Sequence, residues 1–197
     1  MLNAKKKTIP VFIVLLIVIL ALGFYMYFGK GKNEKNVEYM SASWAYNYSD
    51  VEEMAHSSDL IALVTVQDIE SVVTENSVPY TTYSVKVDTP IYNSESGEVF
   101  SIFMTGGETD EKIIEIEDDP LLQPGDEILV FCKENADGTY RTLSGSQGRL
   151  IYEDGKINSL NAINTRVREA NSYSNIMIQD TDAEDLIAEI KGYVDGQ

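Results

Sequence analysis

The residues of this 197-residue chain that could do chemistry are few, and their types narrow that chemistry sharply. Nucleophilic catalysis by serine or cysteine normally needs a base, most often histidine. The one histidine, His56, lies in the helical pattern Met54-Ala-His-Ser-Ser58. Ser57 and Ser58 are one and two positions away, a spacing that does not turn side chains toward each other on a helix. His56 therefore reads as a surface or half-buried residue. The one cysteine, Cys132, ends the apolar run Glu127-Ile-Leu-Val-Phe-Cys132 and reads as part of a core. A single His and a single Cys also supply a zinc site poorly.

Oxygen chemistry and recognition are left. Glu115-Ile-Glu-Asp-Asp119 and Asp180-Thr-Asp-Ala-Glu-Asp185 concentrate carboxylates. Calcium takes oxygen ligands only, so Glu115, Glu117, Asp118 and Asp119 are a candidate calcium set, although neither run has the spaced Asp-x-Asp-x-Asp-Gly loop. The second run also fits an ordinary helix start, where acidic residues favour the macrodipole. A carboxylate pair acting on an envelope glycan is the enzymatic alternative. Against it, Trp44 is the only tryptophan for sugar stacking. Gly106-Gly107 and Gly145-Ser-Gln-Gly148 lack the lysine and helix of a phosphate loop. Trp44, Tyr46 and Tyr48 alternate, with Tyr39 nearby, and form a candidate aromatic contact surface. Packing against the domain or resting at a membrane interface is the structural reading of the same three.

Charge separates the chain into two parts. Lys5, Lys6, Lys7, Lys30, Lys32 and Lys35 precede Glu38, whereas Glu34 is the only acid that does. From Glu38 onward 9 Lys and Arg face 31 Asp and Glu, a net −22 against −17 for the whole chain. Such a domain repels nucleic-acid phosphates and anionic head groups, so no nucleic-acid partner is expected. A cationic partner, a metal ion or plain solubility would each suit the acidity. With one cysteine there is no intramolecular disulfide, as in a bacterial surface protein with little disulfide machinery.

Ile9–Phe28 carries no charge. At about 1.5 Å per residue it spans about 30 Å, the hydrocarbon thickness of a bilayer. Phe24, Tyr25, Tyr27 and Phe28 gather at one end, where aromatic rings favour the interface. A cleaved signal peptide would have a shorter apolar stretch and a small-x-small site; here bulky aromatics and Gly29-Lys-Gly-Lys32 follow instead. The expected organisation is a cytoplasmic N-terminus (1–8), a transmembrane signal anchor (9–28), a linker (29–37) and an acidic extracytoplasmic domain (38–197).

The elements that must position these residues are mainly strands. Ser49-Asp-Val-Glu52 fits a capping box and predicts a short helix near Asp50–Ser57. Leu60–Val66 reads as a buried strand continuing through Ile69 and Val73, and Tyr83, Val85 and Val87 as a half-buried one. Val99–Met104, Ile113–Ile116 and Glu127–Lys133 follow. Asp137-Gly138 and Asp154-Gly155 mark turns around Tyr140–Leu143, Leu150–Tyr152 and Ile157. Thr181-Asp-Ala-Glu184 fits a second capping box, before an apolar stripe of Leu186, Ile187, Ile190 and Val194. The pattern predicts a mainly β fold: a small OB-like barrel of five or six strands with a short N-terminal and a C-terminal flanking helix.

Asp59-Leu-Ile61, Tyr80-Thr-Thr-Tyr-Ser-Val-Lys-Val87, Gly106-Gly107, Pro120-Leu-Leu-Gln-Pro-Gly-Asp-Glu127 and Gln147-Gly148 occur in that order. Over roughly Asp50 to Ile157 the series resembles a group of uncharacterised, membrane-anchored surface domains of Gram-positive bacteria. The resemblance implies a β-barrel-like extracellular module and brings no catalytic residue with it. Together these readings predict a non-enzymatic, membrane-tethered cell-surface module that binds a protein or an envelope polymer.

Overall fold

The runs Leu60–Val66 and Ile128–Cys132 are apolar at nearly every position because both faces of each strand are buried. Successive side chains point to opposite faces of a strand. Leu60, Ala62, Val64 and Val66 accordingly enter one core, together with Ile128, Val130 and Cys132. Ile61, Leu63, Leu129 and Phe131 enter a second core on the other side. A single-faced strand would show the strict alternation seen around Tyr83, Val85 and Val87.

The computed structural model describes residues 35–170 and 176–195. The expected transmembrane helix Ile9–Phe28 lies outside the described residues, among which no helix is long and apolar enough to cross a membrane. The elements in chain order are β1 (Asn36–Met40), α1 (Val51–Ser57), β2 (Leu60–Glu75), β3 (Val78–Tyr92), β4 (Val99–Thr105), β5 (Gly107–Glu108) and β6 (Lys112–Ile116). They continue with β7 (Glu127–Glu134), β8 (Tyr140–Thr142), β9 (Arg149–Glu153), β10 (Lys156–Ser159), α2 (Leu160–Ile163), α3 (Thr165–Ala170), β11 (Thr181–Asp182) and α4 (Ala183–Val194).

Five strands close a barrel in the order β7-β2-β3-β4-β8, sealed by pairing of β8 back onto β7. All contacts around it are antiparallel except β4 with β8, which meet in parallel at Ile102 and Tyr140. This is consistent with the expected OB-like barrel. Closure is possible because β2 is long and bent: its register with β3 shifts four times between Ile61 and Ser71, and such bulges increase twist. The first half of β7 also pairs with β9, so β9, β10 and β11 extend the sheet beyond the barrel. Met54 and Ala55 of α1 and Leu186, Ile190 and Val194 of α4 cover the outer core on that side.

Several expectations shift in detail. Both helix caps move one residue along. Asp50, not Ser49, accepts from the Glu53 amide, and Glu53 in turn accepts from the Ser49 amide at 2.8 Å. Likewise Asp182, not Thr181, caps α4. Asn36 and Val37, expected as linker, are already strand. β6 does not join the barrel; it lies between β1, parallel to it, and β5 in a separate three-stranded sheet.

Candidate functional site

Two regions of the domain gather unusual side chains. The first is a sealed polar cluster beneath residues 41–48, the segment that leaves β1. Asp118 and Asp119 follow β6 and are only 2% and 4% exposed. Arg149, the first residue of β9, is 1% exposed. Its Nη2 donates to Asp119 Oδ1 at 2.8 Å and to the Pro120 carbonyl at 2.7 Å. Trp44 Nε1 donates to Asp118 Oδ2 at 2.7 Å. Gly145 lets the indole in: its φ is +58°, and a Cβ there would meet the Trp44 ring and come within 3.0 Å of Asp119 Cγ. The turn Gly145–Gly148 then holds the segment, with Gln147 Oε1 accepting from the Tyr48 amide at 3.1 Å. Ser144 Oγ donates to the Tyr46 carbonyl at 2.6 Å.

Burial raises the Asp119 pKa against the pull of Arg149, and the neighbouring Asp118 carboxylate raises it further. One guanidinium is shared by a site that buries two carboxylates, so its charge does not offset the burial of Asp119. Tyr83, inside the barrel nearby, is pushed up to about 12, mainly by burial.

The four carboxylates expected as a calcium set do not converge. Glu115 accepts from Arg166 Nη2 at 3.2 Å, Glu117 from Ser41 Oγ at 3.0 Å, Asp118 from Trp44 and Asp119 from Arg149. Among the described residues no group of three or more His, Cys, Asp or Glu is arranged to hold a metal ion. The aromatic trio divides: the Tyr46 and Tyr48 rings pack together with centroids 4.7 Å apart, while Trp44 is held by Asp118. Trp44 is committed to Asp118, Tyr48 is buried in the outer core, and only Tyr46 is exposed, its hydroxyl donating to Glu53. The structure does bring the two expected sites together, through the Trp44–Asp118 bond. It also adds Arg149 and Arg166, which sequence reasoning missed. Their signal was available: Arg149 heads the apolar strand Arg149-Leu-Ile-Tyr152, and a cation buried there requires a buried anion.

The second region is the outer face of β2, β3 and β4. Thr81 and Tyr83 point inward, so their neighbours Tyr80 and Thr82 point out. Register places Val73 opposite Tyr80 and Phe103 opposite Thr82. The Tyr80 and Phe103 rings stack with centroids 5.4 Å apart and planes 14° apart. Val73, 53% exposed, extends this strip, and Val99, 58% exposed, stands farther along the same face beyond Ser101 and opposite Lys86. Carboxylates border it: Glu70 accepts from Ser101 Oγ at 2.8 Å, and Glu75 lies two residues beyond Val73. The sequence signal was a surplus. β4 is apolar in both phases, with Phe100, Ile102 and Met104 inward and Val99 and Phe103 outward.

The remaining chemical groups are occupied elsewhere. His56 Nε2 lies 3.0 Å from the Tyr193 carbonyl and joins α1 to α4. The Cys132 thiol is fully buried inside the barrel, and burial pushes its pKa up, away from the reactive thiolate. No family model matches this sequence, and no curated protein matches it either.

Proposed function

We propose that this chain is a membrane-tethered surface module that binds a protein or an envelope polymer without catalysing a reaction, and that the outer face of β2, β3 and β4 is where it binds. The observation that carries this reading is the Tyr80–Phe103 stack beside exposed Val73, with Val99 farther along the same face. Rings and branched aliphatics held on rigid strands provide contact area at little entropic cost. In an OB-like barrel, the finer reading of this fold, the second and third strands form the usual ligand face, and here those strands are β3 and β4. The fold analogy supports the location and says nothing of the ligand.

The anchor at Ile9–Phe28 and an extracytoplasmic placement belong to the same proposal and rest on the uncharged apolar run. The glycan-hydrolase alternative has less support. Its best candidate acid, Asp119, has a raised pKa but is ion-paired with Arg149 in the interior.

Photocrosslinking in cells tests the reading. Full-length protein carrying benzoylphenylalanine in place of Phe103 should yield a discrete adduct, and the same replacement at Tyr46 should not. An adduct at Tyr46 alone would move the contact to the N-terminal segment. Adducts at neither position would end the proposal.

A further inference from the structure

Five of the domain's nine cations are paired with its own carboxylates. Lys112 pairs with Glu38, Lys133 with Asp59, Arg149 with Asp119, Lys156 with Asp182 and Arg166 with Glu115. None of these five cations lies on β2, β3 or β4. Those three strands carry Asp68, Glu70, Glu75 and Asp88 against Lys86 alone, a formal −3, and of these Glu70 and Glu75 border the apolar strip.

From this we infer that the occupant of the face is a cationic protein segment in which apolar side chains alternate with or closely follow Lys or Arg. The inference rests on the proposed binding role of that face. Apolar groups would cover Tyr80 and Phe103, whose rings are already fixed by their own stacking. Lys or Arg would reach Glu70, held in place by Ser101, and Glu75. Other occupants match the surface less well. A second copy would set two acidic faces against each other, each on a domain of net −22. An anionic polymer meets the same repulsion, and a neutral one leaves the carboxylate border without a role.

The test uses the full-length protein in phosphatidylcholine nanodiscs, which add no net lipid charge. It is titrated with two short peptides, one alternating Lys and Leu and the other Lys and Ser. The Lys-Leu peptide should bind about tenfold or more tightly than the Lys-Ser peptide. Tyr80→Ser combined with Phe103→Ser should abolish that preference and leave Lys-Ser binding unchanged. Glu70→Gln combined with Glu75→Gln should weaken both peptides. General attraction of polycations to an acidic domain would not respond to the uncharged ring substitutions. Equal binding of both peptides, or a ring variant that titrates like the parent, overturns the inference. If the ring pair lowers the unfolding midpoint, Val73→Ser at its exposed position should still reduce Lys-Leu binding alone.

The two proposals fail differently. If the peptides fail while the Phe103 crosslink persists in cells, the face binds something that is not cationic and only the inference falls. If a neutral wall-polymer preparation is bound and then released by the ring variant, the outcome is the same. Loss of the crosslink as well would remove the proposed function itself.

Discussion

Under Trp44, charged groups are buried and each has a protein partner: Asp118 with the indole, Asp119 with Arg149, Arg149 with Pro120 as well. On the outer face of β2, β3 and β4 the arrangement is inverted, and large apolar groups stand in solvent at Val73, Val99 and Phe103. Buried charge is tolerable only when paired, and in the sealed cluster a single buried donor, Arg149 Nε, is left without a partner among the described residues. Exposed apolar surface is a modest loss in the free protein and becomes favourable when covered. Residues rich in chemistry thus hold this fold together, while residues poor in chemistry form the surface offered to a partner.

The strongest way to break the comparison is to unpair the sealed cluster. Arg149→Met leaves the Asp119 carboxylate buried without its cation and should cost about 3–5 kcal/mol in urea unfolding. Adding Asp119→Leu should recover part of this loss, because replacing both partners removes the unpaired charge. A double variant no more stable than the single one would mean that Arg149 acts through packing alone. Next in size is Trp44→Phe, which keeps most of the ring but removes the donor to Asp118. A buried acceptor left unsatisfied costs about 1–3 kcal/mol, and a change near zero would show that water reaches Asp118 and the cluster is not sealed.

Legibility follows the same division. Two-sided burial made β2 and β7 readable as continuous apolar runs, and Asp-Gly turns made Asp137-Gly138 and Asp154-Gly155 readable at the right places. The helix caps were readable in kind but fell one residue late, because in each Ser-Asp or Thr-Asp pair the carboxylate is the acceptor that reaches the first-turn amides. The site was harder. Trp44 and Asp118 are 74 positions apart, and nothing local announces that they meet. β6 was readable as a strand, but its partner β1 was concealed in a polar stretch that resembled linker. The exposed strip was hidden differently: Val73, Tyr80 and Phe103 are ordinary strand residues until the register shows which side they occupy.

A smaller effect should appear with pH. The folded Asp119 pKa lies above its ordinary value of 3.8, so the folded state keeps this proton longer than the unfolded chain does. The resulting stabilisation is fully present below about pH 3.8 and is lost as pH rises through the raised value. Asp119→Asn cannot titrate, so its stability deficit relative to the parent should shrink as pH rises through this window. Asp59 has the opposite sign. Burial would raise its pKa, but Lys133 and the Glu134 amide outweigh burial and lower it. Its contribution is therefore present above pH 3.8 and lost as pH falls. A deficit of Asp119→Asn that grows with pH would show that Arg149 governs the Asp119 titration.

The smallest stability effect is expected on the open face, and it sharpens the contrast most. Tyr80 and Phe103 meet each other but neither belongs to the barrel core, so their shared term is that of one cross-strand aromatic pair. Such pairs contribute roughly 0.2–1 kcal/mol. In a double-mutant cycle the coupling between Tyr80→Ser and Phe103→Ser should therefore stay within that scale, even as binding falls about tenfold. A loss near that of Arg149→Met would mean that the rings brace the barrel wall. Their exposure would then be incidental to folding, and the reading of β2, β3 and β4 as a partner surface would lose its basis.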